Sequence, residues 1–222
     1  MNKLKSIIII LLLSLPVGVV SQSLSTMTDA RDSKVYSIVD IGTQTWMAEN
    51  LNYYTATFSK YYANDSSYYS DTYGRLYPWY VADTICPSGY HLPTDAEWIV
   101  LEAYLGMSSV DQSLYGYRDS GSVGEVLKSS SELYWAGYGK GSDDYNFTAL
   151  PGGLVRGSSF SGMSYNAYFW VDGEHANTYQ SLYRSLYYSY KGVGRDYVSQ
   201  SRYMSVRCLK DWIYESSIYR RF

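Results

Sequence analysis

The chain has little from which to build a reactive centre. Two cysteines, Cys86 and Cys208, and two histidines, His91 and His175, stand among 222 residues. The cysteines are far apart in sequence, and so few thiolate and imidazole ligands argue against a redox or metal role. Positive charge is also scarce, with 18 Lys and Arg against 21 Asp and Glu. A general nucleic-acid binder needs a basic face for its phosphate contacts, so no nucleic-acid partner is expected. Beyond the N-terminal run there is no second long apolar segment, so no membrane span is expected.

What is present begins with export. Lys3 and Lys5 precede an unbroken apolar run from Ile7 to Leu13, extended by Leu15 and broken by Pro16 and Gly18. Small residues follow at Val19 and Ser21. This order reads as a signal peptide over residues 1–21 with cleavage after Ser21; the run is short for a membrane anchor, the competing reading. No cysteine follows the cleavage point, which closes the lipoprotein route. The product is expected to be secreted or held at the cell surface. Loss of Lys3 and Lys5 takes 18 basic residues to 16 against 21 acidic ones, a net charge of −5. In an oxidising compartment Cys86 and Cys208 are expected to pair, closing a loop of over a hundred residues. The entropic account values such a closure at about 4–5 kcal/mol.

Tyrosine is in excess: 28 Tyr against 18 Gly. Each offers a broad apolar ring, a hydroxyl and only two side-chain torsions to freeze, which suits recognition surfaces rich in Ser, Gly and Asn. Cross-strand ring pairing in a sheet uses the same residue, and both roles stay open.

Along the chain, residues 22–33 read as a polar leader, 34–211 as one domain and 212–222 as an aromatic tail. Val35 to Leu51 reads as two strands around a turn at Ile41-Gly42, residues 53–73 as loop, and Gly74 to Trp79 as a strand. Thr94-Asp95-Ala96-Glu97 is a capping box, followed by Trp98, Leu101 and Leu105 on one helical face and a stop at Gly106. A further helical turn is expected at Val123–Lys128. Short strands are expected at Phe147–Leu150, Ala167–Val171, Leu182–Tyr188 and Met204–Leu209. Alternation in the third of these sends Leu182, Arg184 and Leu186 one way and Tyr183 and Tyr187 the other. If the leucines face the core, Arg184 needs a partner there.

Five strings then acquire a meaning together: IGTQTWMAENLNY at 41–53, YGRLYPW at 73–79, CPSGYHLPTDAEW at 86–98, DDYNFTALPGG at 143–153 and YMSVRCLKD at 203–211. In order and spacing they resemble the Fibrobacter succinogenes major paralogous domain, a family of exported bacterial proteins of undefined biochemical role. HLPTDAEW also resembles a signature of formylglycine-generating enzymes, and VRC their terminal strand. That resemblance implies an α+β, C-type-lectin-like fold: a small twisted antiparallel sheet whose first and last strands pair, one well-capped helix, long loops and the Cys86–Cys208 bridge. It does not carry over the enzyme's chemistry. Those enzymes hold copper with two cysteines near the C-terminus, and here Cys208 stands alone.

No other catalytic set emerges, so no catalytic residue and no cofactor is expected. Asp143-Asp144 reads as a solvated turn, His91 as structural, and His175 lacks a recognisable nucleophile or orienting partner. The Glu-Pro-Asn and Gln-Pro-Asp tripeptides of calcium-dependent lectins are absent. Asp172, Glu174 and Asn177 offer oxygen ligands for a structural calcium without forming a motif. The expected function is non-catalytic recognition of an extracellular glycan or protein through Tyr-rich loops within 158–203, with Trp170, Tyr183, Tyr187, Tyr190 and Tyr197 as candidate ligand-binding residues. Three alternatives stand beside it: a structural component of an envelope assembly, a variable ligand-binding target of a diversity-generating retroelement, and an enzyme of unknown reaction.

Overall fold

The computed structural model describes residues 24–64, 66–176 and 178–212. The expected signal peptide, residues 1–21, and all of the tail except Trp212 therefore lie outside the described residues. Antiparallel sheets dominate, with few helices and one disulfide. Where one small sheet was expected there are three. The first runs β1 (Leu24–Thr28), β2 (Val35–Ile41), β3 (Gln44–Met47), β13 (Leu209–Lys210) and β5 (Tyr90–His91). The second runs β6 (Gly116–Arg118), β11 (Val193–Ser199), β10 (Gln180–Tyr187) and β9 (Asn166–His175). The third runs β4 (Tyr77–Pro78), β12 (Tyr203–Met204), β7 (Gly152–Arg156) and β8 (Ser159–Met163).

The hairpin expected within 35–51 is β2–β3, in register from Ile38 opposite Met47 to Ile41 opposite Gln44. Its alternation buries Tyr36 and Ile38 on one side and Val39 and Ile41 among a second set of side chains. The helix expected after Pro93 is α3 (Asp95–Tyr104), preceded by α1 (Ser66–Tyr73) and α2 (Trp79–Ala82). Its box is complete: Thr94 accepts from the Glu97 amide, and the Glu97 carboxylate accepts from the Thr94 amide at 2.8 Å. Gly106 ends it at φ +100°, a conformation that a Cβ disfavours. Two short helices follow, α4 (Ser109–Gln112) and α5 (Val123–Leu127), the latter where a helical turn was expected.

Four local readings change. The polar leader contains β1, paired with β2 from Leu24 opposite Val39 to Thr28 opposite Val35. An edge strand needs little apolar sequence, because Met27 alone leans on the core while its neighbours face solvent. The 53–73 loop contains α1, which lacks an aliphatic stripe and is held by rings: Tyr69 packs on Tyr62 and Tyr73 at 5.6 and 5.9 Å. Phe147–Leu150 is not a strand, since Asn146 and Thr148 adopt left-handed φ of 53° and 51° and only Ala149 makes a bridge, to Lys128. Met204–Leu209 splits between β12 and β13, which lie in different sheets.

Two cores result. One gathers Trp46, Trp98, Phe147 and Phe169 between α3 and the second sheet; the other gathers Tyr36, Tyr77, Trp79, Trp170 and Met204 with Cys208. Cys86 and Cys208 are bonded, with Cα atoms 5.8 Å apart. The bridge fastens the approach to α3 onto the residue before β13, so the last strand is fixed between β3 and β5 and not, as expected, beside the first strand, β1, which pairs with β2.

Candidate recognition surface

Which way β10 faces is decided by a buried ion cluster. Leu182, Arg184 and Leu186 point inward. Arg184 Nε donates to Glu102 Oε1 at 2.7 Å, and Arg118 donates to both oxygens of Glu102 at 2.6 and 2.7 Å. Arg184 Nη2 lies 2.9 Å from Asp95 Oδ1 as an ion pair outside hydrogen-bond geometry, and Arg195 Nε donates to Asp95 Oδ1 at 2.9 Å. Burial would raise the Asp95 pKa, but Arg184 and Arg195 outweigh it and hold the carboxyl low. Two acids on α3 thus grip arginines from β6, β10 and β11, and the partner that Arg184 needs is supplied. A slip of one residue would bury the tyrosines and expel the arginine, so the register is set.

On the other face of β10 lie Tyr183, Ser185 and Tyr187: Ser185 is buried, Tyr183 and Tyr187 are half-buried, and Tyr183 packs against the second core. Tyr168 on β9 lies opposite Ser185, and Gly194 on β11 faces Ser185 from the other side. Tyr117 on β6 lies opposite Gly194. The rings form a continuous chain: Tyr183 to Tyr168 at 6.0 Å, Tyr168 to Tyr187 at 6.4 Å, Tyr187 to Tyr117 at 5.0 Å, and Tyr117 stacked on Tyr190 at 5.2 Å. Gly194 makes this possible. A Cβ there would lie 2.2 Å from Ser185 Oγ and 3.4 Å from Tyr117 Cε1, so the missing side chain lets the Tyr117 ring lie along the sheet. At one end a cleft of about 130 Å³ opens between Leu154, Met204, Val198, Arg202 and the rings of Tyr168 and Tyr183. Burial pushes the phenol pKa of both tyrosines up.

The turn after β10 is anchored from below. Lys128, buried, donates Nζ to the carbonyls of Tyr190 at 3.0 Å and Tyr187 at 3.1 Å, with Tyr188 at 3.5 Å. Burial lowers its pKa to about 8. The carbonyls, not the rings, hold the lysine, so the phenols stay free to face outward.

Of the candidate residues, Tyr183, Tyr187 and Tyr190 come together in this row. Trp170 does not belong to a surface: it is fully buried, and its indole donates to Tyr77 O at 2.7 Å. The strand covering it, β4, belongs to a distant part of the sequence. Tyr197 sits on the opposite side of the sheet, because it pairs with inward-facing Leu182. There it stacks on Tyr115 at 5.6 Å and meets His175 at 4.8 Å. Its hydrogen bond with Tyr115, then burial, push its pKa up to about 12. Two residues of the row are not among the candidates: Tyr168, which lies within 158–203, and Tyr117, which lies outside it and alternates with Gly116 and Arg118.

The remaining candidates are structural or dispersed. Asp172 and Glu174 are exposed, and Asn177 lies outside the described residues; among those described, no group of three or more His, Cys, Asp and Glu is placed to hold a metal ion. Asp143 is half-buried rather than fully solvated, and accepts from the amide and hydroxyl of Thr148 at 2.7 and 2.8 Å. His91 bridges Glu97 at 2.9 Å and Asp211 at 2.7 Å. The 53–73 tyrosines do structural work: Arg75 lies over Tyr61 and Tyr54 at 3.9 and 4.8 Å, and Arg31 lies over Tyr53 at 3.9 Å.

Fold and surface together define a disulfide-closed, antiparallel-sheet domain that displays tyrosines on one sheet face. The chain belongs to the Fibrobacter succinogenes major domain family, whose model matches residues 39–210. No curated protein and no solved structure matches it.

Proposed function

We propose that residues 1–21 export the chain and that the mature domain is a non-catalytic recognition protein, secreted or at the cell surface, that binds an extracellular glycan or protein. The observation that carries this is the row of five tyrosines, Tyr183, Tyr168, Tyr187, Tyr117 and Tyr190, on the face of the second sheet opposite Arg184, half-buried at Tyr183 and Tyr168 and exposed at Tyr117 and Tyr190. Rigid amphipathic rings of this kind give contact area at low entropic cost. A non-catalytic role is supported by the engagement of both cysteines in the disulfide and of His91 between two carboxylates. The placement of β13 beside β3, near the start of the domain, supports the C-type-lectin-like reading of the fold.

The test replaces Tyr187 and Tyr190 with Ala in the mature protein and measures binding to whole cells and to an extracellular fraction. Anchors at an interface cost roughly 2 kcal/mol or more on truncation. Loss of binding with an unchanged melting temperature is expected. Undiminished binding by the folded double variant would place recognition elsewhere.

A further inference from the structure

We infer that the ligand of the tyrosine row is a neutral carbohydrate chain, bound by stacking across Tyr117, Tyr187 and Tyr190 and by hydroxyl contacts at the rim. This rests on the recognition reading above and narrows it to one chemical class.

The first argument is the uniformity of the row. Five phenols follow one another, each ring meeting the next, and the sheet beneath them is Ser185 and Gly194. A phenol has an electron-rich face that attracts C–H groups and one hydroxyl that donates and accepts. A ligand that matches a run of phenols must repeat an apolar face and hydroxyls in every unit. A pyranose does so: C–H bonds project from its faces and hydroxyls from its edge.

The second argument is charge. At the Tyr183 end the rim carries a carboxylate, Asp196 opposite Tyr183, and a guanidinium, Arg202 in the cleft beside Tyr168 and Tyr183. They balance, and both make hydrogen bonds of the kind that sugar hydroxyls accept and donate. Beyond Tyr190, Lys191 is paired with Glu125 at 3.0 Å and Lys128 is spent on backbone carbonyls. Lys140, which lines the cleft beside Tyr190 with them, is paired with Glu132 at 2.7 Å, so each described lysine at this end is partnered rather than left for a sulfated or uronic polymer.

The third argument is shape. Tight protein interfaces concentrate their energy in anchors sunk into desolvated pockets. Clefts of about 130 Å³ beside Tyr168 and Tyr183 and about 310 Å³ beside Tyr190 open at the two ends of this row, with Tyr117 and Tyr190 43% and 48% exposed. Rings that lie along a sheet stack against a flat ligand without needing a deep pocket. Strands in a sheet are spaced ~4.8 Å apart, so the row from β6 to β9 spans three spacings, about 14 Å, enough for several sugar units rather than one.

The experiment is affinity electrophoresis of the mature, disulfide-bonded protein through gels containing a β-glucan, a mannan, a galactan, a polygalacturonate or a heparin, with the wild type beside Tyr187→Ala/Tyr190→Ala and Tyr117→Ala. A pull-down of cell-surface proteins runs in parallel. The expected result is retardation by at least one neutral polysaccharide, retained in high salt because it is not electrostatic, and weakened about ten-fold or more in both variants at unchanged melting temperature. Retardation by the polyanions alone, abolished by salt, overturns the inference. So does the absence of retardation by every neutral polymer. If instead a protein partner is captured and lost in the tyrosine variants, the carbohydrate inference fails while the recognition surface stands. If neutral-polysaccharide binding persists in both folded variants, the surface fails as well.

Discussion

Arg207 donates its Nε to Asn50 Oδ1 at 2.8 Å across 157 residues of sequence. The same guanidinium donates to the carbonyls of Met47, Phe147 and Thr148 and lies over the Phe147 ring at 4.6 Å. Three of the strings that mark the family, those around Asn50, Phe147 and Arg207, therefore meet at one buried side chain. Burial lowers the Arg207 pKa, with Asp143 and Glu49 opposing the shift.

Replacing Arg207 with Lys should destabilise the domain by about 3 kcal/mol or more, because an ammonium cannot reproduce a planar fork shared among four acceptors. Chemical denaturation checks this. A loss under 1 kcal/mol would show that the acceptors find other donors.

Glu102→Gln should be nearly as damaging, about 3–5 kcal/mol, since it leaves Arg118 and Arg184 buried with too little negative charge. The triple change Glu102→Met, Arg118→Met, Arg184→Met should recover much of that loss, because it removes the charges together. Comparing the two variants by urea unfolding separates the cost of an orphaned charge from that of altered packing.

Non-reduced mass spectrometry of the mature protein should show the Cys86–Cys208 bond, and Cys86→Ala/Cys208→Ala should lower stability by at most about 5 kcal/mol, the loop-entropy value for a closure of this length. The fold should survive at low temperature, because the residues around Cys208 are also held by β13 between β3 and β5.

His91 supplies a pH dependence. Burial pulls its pKa down, but the hydrogen bonds it donates to the carboxylates of Asp211 and Glu97 outweigh that and leave it raised above 6.5. A base whose folded pKa is raised contributes fully below the unfolded value and loses the contribution as pH climbs through the folded one. Stability should therefore fall, in this component, from about pH 6.5 upward. His91→Gln should flatten that part of the profile, and an NMR titration of the imidazole should give a midpoint above 6.5. A midpoint at or below 6.5 would mean that the two carboxylates do not compensate burial.

Much of the fold is legible where short-range rules act. The Thr94–Glu97 box, the β2–β3 hairpin and the Cys86–Cys208 pair depend on neighbouring residues or on simple chemistry, and each is in place. The inward turn of Arg184 follows from alternation with Leu182 and Leu186. β1 escaped because an edge strand carries almost no apolar signature, and α1 because tyrosine contacts rather than an aliphatic stripe hold it. The surface is half legible: density and alternation single out Tyr183, Tyr187 and Tyr190 but not Tyr168 or Tyr117, whose places in the row depend on which strands pair.

By itself the sequence determined what is local: which residues alternate, where α3 begins, which thiols are available, and that tyrosine is abundant. Only the tertiary structure decided how each tyrosine is used. The same side chain is core at Tyr77, a cation clamp at Tyr61 and outward paving at Tyr117. The physical reason is that a ring with one hydroxyl suits a core and a surface equally. Burial then depends on what lies opposite: β4 over Trp170, and nothing bulkier than Gly194 and Ser185 beneath Tyr117 and Tyr187.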